Sequence, residues 1–377
     1  MYPADRMASR ADRILLVLPS LERGGGERVL LQLARSFLAA GREVHIAALL
    51  GGGPLRSHIA EGVTLHELVD PHDATKGFAL ARRALPRLVS LLRAIQPQAV
   101  LSTMTGTNLL AVLARMRARG GMRLVLREAS SLVNTPSMLK RQAMRWFYRR
   151  ADALVAVSIG VAQDLCSLGI SNERIHVIHN PIDRDRLQRL ANAGSGLTEA
   201  DGAPYVIALG RLTEAKDYPT LLRAYASSEL RRTHRLVIVG EGEQRARLRD
   251  AARELGIVDR VVLAGGMDNP FHVLAGAALL VLSSRWEGYP NVLLEALALG
   301  VPVVATDCRH GPRELLDGGR YGRLAPVADP TALARVMEVE CAHPSGRADE
   351  VIAGHDARVV ASRYLEVLDD ASIGAVA

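Results

Sequence analysis

Cysteine, lysine and aromatic residues are all scarce in this chain, and each scarcity narrows what the protein can be. The 377 residues include three cysteines, Cys166, Cys308 and Cys341, far apart in sequence. Thiols so placed fit neither a disulfide framework nor metal-ligand spacing, and all three are expected to be plain buried thiols. Aromatic residues make up 4% of the chain. No helix-turn-helix, zinc-finger or aromatic RNA-binding signature accompanies them, so the expectation is no nucleic-acid partner. No apolar run reaches the roughly 18 residues of a membrane span, and Met1–Arg13 lacks an apolar signal-peptide core. The protein is therefore expected in the cytoplasm. Lysine occurs only as Lys76, Lys140 and Lys216, so a lysine at a chemically suggestive position carries weight.

Apolar residues are plentiful. They form 49% of the chain, with mean hydropathy +0.10, enough for two cores of about 150 to 200 residues each. Charge is uneven. Up to Arg150 there are 23 Lys and Arg against 10 Asp and Glu, and beyond it 24 against 30. A basic first half joined to an acidic second half points to an anionic partner for the first half alone.

The first half alternates strands and helices, which predicts a parallel sheet covered on both faces. Expected strands are Arg13–Pro19, Glu43–Leu49, Val63–Leu68, Ala99–Ser102, Leu124–Arg127 and Ala153–Val157. The first leads into Gly24, Gly25, Gly26, Glu27 and Arg28, a glycine loop before a helix, where backbone amides can meet an anion. The glycines are contiguous, so this is not the dinucleotide fingerprint, and an unliganded tight turn is the alternative. Ligands of parallel sheets bind beyond the carboxyl ends of the strands, which makes Asn108 and Glu128 candidate acceptor contacts, with a surface role as the alternative. On a helix spanning Ser137–Arg150, Arg141, Arg145 and Arg149 stack at i, i+4 and i+8, apart from an apolar sector of Leu139, Ala143, Trp146 and Phe147. Such a helix suits an anionic membrane interface; packing on its own domain is the alternative.

The second half begins after His179, Asn180, Pro181, Ile182 and Asp183, with a linker expected over residues 186–203. A strand at Tyr205–Gly210 is followed by Arg211 and Lys216, a cation pair suited to a diphosphate. Solvation at the surface is the alternative for either. Another strand and glycine loop follow over Arg235–Gly242, and a further strand ends near Gly265. The short apolar run Ala278–Leu282 leads to Glu287, Gly288, Tyr289, Pro290, Asn291 and Val292, with a helix starting near Pro290. Glu295 lies inside that helix among apolar residues, where a carboxylate needs a hydrogen-bonding partner or a ligand. An ordinary helical carboxylate stabilised by the dipole is the alternative.

The segments G-G-x-E-R, H-N-P-I-D, G-R-L-x-x-x-K-D, V-G-x-G, E-G-Y-P-N-V-L-L-E and the turn Cys308–Glu314 together resemble the family 4 retaining glycosyltransferases of the GT-B fold, over nearly the whole chain. That resemblance implies an α/β protein of two Rossmann-like parallel-sheet domains facing an interdomain cleft. The first, basic domain (1–185) would bind the acceptor and the second (204–354) the nucleotide sugar, with a last helix (355–377) crossing back to the first. It implies transfer of a hexose or N-acetylhexosamine from a nucleotide sugar, a UDP-sugar in this reading, to a saccharide hydroxyl with retention. A lipid-diphosphate-linked acceptor would place the enzyme in bacterial surface polysaccharide or lipopolysaccharide assembly, at the inner face of the cell membrane. Arg211 and Lys216 would neutralise the departing diphosphate and Glu287 would orient the donor sugar. Gly25, Gly26, Gly210, Gly240, Met267, Gly288, Tyr289, Asn291, Val292 and Glu295 would surround the donor, Glu295 holding the ribose, with Gly265 and Asp268 beside the base. No cofactor and no metal are expected. Some family members carry a His or Asp base after the fourth strand; here Ser102–Thr105 has neither, and no base can be named. A sugar-nucleotide epimerase of similar architecture and a transferase acting on a soluble acceptor are the alternatives.

Overall fold

In the computed structural model, residues 12–73, 77–132, 138–194 and 202–369 are described. They divide into two compact units, one reaching Pro181 and resuming at Ala357, the other running from Ile182 to Asp356.

The first unit is built on seven parallel strands: β1 (Arg13–Leu18), β2 (Glu43–Leu50), β3 (Thr64–Val69), β4 (Ala99–Thr103), β5 (Arg123–Glu128), β6 (Ala153–Ala156) and β7 (Ile175–Val177). Their order is β3-β2-β1-β4-β5-β6-β7. β1, β4 and β6 are buried along almost their whole length and mainly apolar, as suits strands covered by helices on both faces. The strand order reverses between β1 and β4, a switch point of the kind beyond whose carboxyl ends parallel sheets bind their ligands.

The second unit repeats the plan with six strands: β8 (Tyr205–Leu209), β9 (Arg235–Val239), β10 (Val261–Gly265), β11 (Leu279–Leu282), β12 (Val303–Thr306) and β13 (Arg323–Ala325). The order β10-β9-β8-β11-β12-β13 puts its reversal between β8 and β11. The loops after these strands carry Lys216 and Glu287.

The helix Ala357–Leu368 belongs to the first unit. A buried arginine holds it there. Arg127, fully buried at the end of β5, donates from Nε to Tyr364 Oη (3.1 Å), from Nη1 to Thr103 Oγ1 (2.9 Å) and from Nη2 to Asn180 Oδ1 (2.6 Å). A planar fork with fixed donors suits such a junction, because each buried N–H needs its own acceptor. Arg42 adds an ion pair to Asp369 at 2.5 Å. The same contacts give the Asn of H-N-P-I-D a structural role.

Three expectations change. The region expected as a linker from 186 is helical as far as Asn192, because Asp183 caps the helix Arg184–Asn192 by accepting from Arg186 N at 2.9 Å. The second unit accordingly begins at Ile182; residues 195–201 of that expected linker lie outside the described residues. Of the cysteines, Cys308 is buried, Cys341 half-buried and Cys166 exposed, since Cys166 lies on the outer side of the helix Ile159–Ser167. Among the described residues no helix is long and apolar enough to cross a membrane.

Candidate active site

The loops after β8 and β9 cross backbone to backbone. A methyl group at Gly240 would fall 1.9 Å from Gly210 O, and one at Gly242 would fall 2.4 Å from Leu212 O. Only glycine permits that approach. Leu212 N donates to Glu241 O at 2.8 Å, which fixes the start of the segment carrying Arg211 and Lys216.

The turn Glu214–Lys216 ends on Asp217, whose φ of 44° lies in the left-handed region. Gly, Asn and Asp tolerate that region best, which is a physical reason for the Asp that closes the G-R-L-x-x-x-K-D segment. Asp217 is buried; its carboxylate accepts from Thr220 Oγ1 at 2.8 Å and pairs with Arg285 Nε at 3.2 Å. Arg285 N donates to Ala215 O (2.8 Å) and Ser283 Oγ to Lys216 O (2.7 Å). The exit of β11 therefore grips the turn that presents Lys216.

The consequence is an ion pair across two loops. Lys216 Nζ lies 2.6 Å from Glu287 Oε1, and Ser284 Oγ donates to the same oxygen at 2.6 Å. Ser284 is itself held, its carbonyl accepting from Thr306 Oγ1 at 2.5 Å. The charge on Glu287 is felt nearby. Burial first and Glu287 second push the Tyr218 phenol up, and its hydroxyl donates to Gly210 O at 3.0 Å. The same two causes push the Cys308 thiol up to about 12.

Gly288, Tyr289 and Pro290 lead into the helix Asn291–Leu299, which ends on Gly300 at φ 76°. Tyr289 is buried and stacked on His355, with ring centroids 5.6 Å apart, and its hydroxyl bonds His355 Nε2. His355 Nδ1 lies 2.5 Å from Val351 O. A carbonyl only accepts, so Nδ1 carries the proton and Nε2 accepts from Tyr289. Burial, and then the charge of Glu314, raise the Tyr289 phenol well above its ordinary value. Asn291, Val292 and Glu295 are half-buried on the helix, and Met267 is half-buried just past β10. Arg211 is exposed. Sequence reasoning had no signal for Ser284, Thr306, Arg285 or His355; Asp217 was legible only as one letter of a motif.

In the first unit, Gly25 and Gly26 form the first turn of the helix Gly25–Ala39. Glu27, buried, folds back on that turn, so that a methyl group at Gly24 would meet Glu27 Oε2 at 1.9 Å. A carboxylate already sits where the amides of a helix start favour an anion. Asn108 and Glu128 were candidate acceptor contacts, but both are fully buried. Asn108 Nδ2 donates to Arg127 O at 3.0 Å, and Tyr148 Oη donates to Glu128 at 2.6 Å. Neither side chain reaches solvent itself.

The basic helix spans Met138–Tyr148, and Ser137 lies outside the described residues. It buries Met144 and Tyr148 and leaves Leu139 and Trp146 exposed, so the inward face is offset from the sector read off the sequence. Tertiary hydrogen bonding explains this, because Tyr148 must reach Glu128. Arg141 is half-buried and Arg145 exposed, while Arg149 is turned back to Gly169 O at 2.9 Å.

Chemically, the second unit offers two cations, a carboxylate and a helix N-terminus on loops flanking one switch point. That set suits an anionic leaving group. Among the described residues no three His, Cys, Asp or Glu side chains are arranged to hold a metal.

Known proteins agree with this architecture. The model described as Glycosyltransferase Family 4 matches residues 23–186, and that described as Glycosyl transferases group 1 matches residues 203–339. An N-acetylgalactosamine-N,N'-diacetylbacillosaminyl-diphospho-undecaprenol 4-alpha-N-acetylgalactosaminyltransferase of Campylobacter jejuni is 31% identical over 227 residues, 58% of this chain and 60% of that protein. The lipopolysaccharide core biosynthesis glycosyltransferase LpsE of Rhizobium meliloti is 33% identical over 229 residues, 59% of this chain and 65% of that protein. Both alignments thus span less than two thirds of the relative. Among solved structures, the lipopolysaccharide outer core galactosyltransferase WaaB has TM-score 0.69 at 19% identity, covering 95% of this chain and 99% of that one. Anabaena Alr3699/HepE in complex with UDP-glucose has TM-score 0.73 at 19% identity, covering 96% and 98%. At such identity these two speak for the fold alone. With one model matched on each sheet, and with the two parallel-sheet α/β units of the GT-B fold, the chain belongs to the family 4, group 1 glycosyltransferases.

Proposed function

We propose that this protein transfers a glycosyl unit from a nucleotide sugar to a saccharide hydroxyl, with retention and without a metal, in the assembly of a bacterial surface polysaccharide. The observation that carries the reading is the Lys216–Glu287 pair at 2.6 Å. It joins a cation suited to a diphosphate with a carboxylate suited to sugar hydroxyls, on the two loops of a switch point. The two relatives named above support the class of reaction, and the cation pair suited to a diphosphate supports a nucleotide sugar, a UDP-sugar in this reading, as donor.

In this reading the sugar–phosphate bond breaks with its electron pair passing to the nucleoside diphosphate. Lys216, Arg211 and the amides at the start of the helix Asn291–Leu299 balance the charge that develops there. Glu287, held by Lys216 and Ser284, orients donor hydroxyls and stabilises positive charge on the sugar. Glu295, within that helix, holds the ribose. No cofactor takes part.

A lipid-linked acceptor at the cytoplasmic face of the membrane is supported by the helix Met138–Tyr148. Met138, Leu139 and Trp146 are 74%, 78% and 45% exposed on an element that also carries Arg141 and Arg145. Apolar and cationic side chains together suit an anionic interface. Reversing Arg141, Arg145 and Arg149 to Glu should abolish binding to anionic liposomes at low salt; unchanged binding would remove this part of the reading.

The reaction is tested by crossing UDP-glucose, UDP-galactose and their N-acetyl forms with polyprenyl-diphosphate-linked and soluble saccharides, followed by mass spectrometry. Acceptor-dependent UDP release with a glycosylated product is the expected result. Isomerised donor without acceptor would instead identify an epimerase.

A further inference from the structure

The amides that open the helix Asn291–Leu299 can serve a diphosphate only if the chain leading into them is held, and residues 288–290 have little to hold it with. Gly288 has no side chain and Pro290 no N–H. Tyr289 supplies an anchor: it is buried, its hydroxyl bonds His355 Nε2, and its ring stacks on the imidazole with centroids 5.6 Å apart.

His355, also buried, is fixed at three further atoms. Its amide donates to Ile352 O at 3.1 Å, its carbonyl accepts from Ile182 N at 2.7 Å, and its Nδ1 lies 2.5 Å from Val351 O. Val351 belongs to the helix Asp349–Gly354, which packs against Asn291–Leu299. The imidazole is thus tied to the element that supports the helix whose start Tyr289 precedes.

The turn after β12 closes on the same loop. A methyl group at Gly311 would fall 2.6 Å from Pro290 Cδ and 3.1 Å from Tyr289 Cα, and Trp286 bridges to Arg309. Close packing limits how far residues 288–290 can shift, whereas a hydrogen bond also sets direction. Phenylalanine would fill the space of Tyr289 without that bond. Burial, and then Glu314, raise the phenol well above its ordinary value, so at neutral pH it keeps its proton and stays the donor.

We propose that His355 is a positioning residue for the transfer, which through Tyr289 holds residues 288–292 so that the amides at the helix start meet the donor's diphosphate. His355 acts through Tyr289 rather than on the donor. Amides oriented in advance cost no ordering when the diphosphate binds, and none as charge grows on it. Every residue of this arrangement lies in the second unit.

This inference rests on the proposed nucleotide-sugar reaction, and the experiment separates the two. UDP, ADP and GDP are titrated calorimetrically into the wild type. The one bound tightest is then compared with its nucleoside, by competition, in Y289F, H355F, H355Q and Y289F/H355F, well below the melting temperature of each. Y289F and H355F should each lose about fivefold to tenfold in diphosphate affinity and keep wild-type affinity for the nucleoside, which has no phosphate for the amides to meet. The double variant should lose no more than either single one, because both remove the same bond. H355Q, whose amide oxygen can still accept from Tyr289, should recover most of the affinity. Wild-type diphosphate affinity in Y289F and H355F overturns the positioning, and so do equal losses for diphosphate and nucleoside, which mark a general loosening. Should H355F fail to fold, Y289F decides, since it removes a single oxygen. A wild type that binds a diphosphate but glycosylates no acceptor in the panel above overturns the reaction alone, because the titrations decide the positioning without turnover. A wild type that binds none of the three diphosphates overturns both.

Discussion

Lys216 Nζ and Glu287 Oε1 lie 2.6 Å apart although 71 residues separate them in the chain. Both side chains are largely shielded from solvent, so the pair is screened less than a surface ion pair and each partner fixes the other. In the proposed reaction Lys216 stabilises charge that grows only as the diphosphate departs. Lys216→Ala should therefore lower kcat by about two to three orders of magnitude. Steady-state kinetics with saturating donor measure this directly, and a kcat within a few-fold of wild type would show that Lys216 does no such work.

Glu295 is placed to affect binding rather than turnover. It stands on the helix behind Glu287, half-buried, and a charged hydrogen bond to a ligand hydroxyl is worth about 1.5 to 3 kcal/mol. Glu295→Ala should weaken donor binding by about tenfold to a hundredfold, read by calorimetric titration with the UDP-sugar, with a smaller change in kcat. Unaltered affinity would take the ribose contact away from this residue.

Asp217 joins a backbone requirement to an ion pair. Its φ of 44° and its 3.2 Å contact with Arg285 Nε make separable predictions. Asp217→Gly keeps the conformation and loses the pair, whereas Asp217→Ala loses both and adds about 1 to 2 kcal/mol of left-handed strain. Ala should melt at a lower temperature than Gly, and both should lose turnover because the Lys216 turn is loosened. Equal melting temperatures for the two would remove the strain argument.

Histidine burial gives the fold a pH dependence of definite sign. Burial lowers the pKa of His66, with the neighbouring His45 as second cause, and burial also lowers those of His176 and His234. Each folded pKa lies below the ordinary value of 6.5, so the unfolded chain binds more protons in that window. The stability they contribute is present above 6.5 and is lost as pH falls from there through the folded values. His66 also faces His45 Nδ1 at 3.0 Å, and His45 Nε2 faces Glu43 at 2.8 Å. Thermal melts from pH 7.5 to 5 should fall for the wild type and fall less steeply for His66→Gln. Parallel curves would exclude His66 as a contributor.

Much of this was legible without coordinates. The apolar runs at Arg13–Leu18 and Leu279–Leu282, the glycine loops, and the spacing from Arg211 to Lys216 and from Glu287 to Glu295 are local properties. Chain stiffness, burial of apolar runs and helix initiation act over a few residues, so the sequence by itself determined the two parallel α/β sheets, most of their strand positions and the residues with suitable chemistry; the three-residue edge strands β7 and β13 are too short to show as apolar runs. It could not say which distant loops meet. Sheet order alone put the loops after β8 and β11 side by side and set Lys216 against Glu287. Packing likewise turned Glu128 and Asn108 inward, rotated the basic helix to seat Tyr148, and drew the helix Ala357–Leu368 onto Arg127. Those outcomes depend on long-range burial, where each polar group out of water must find its partner wherever the fold happens to bring one, and no local pattern encodes that.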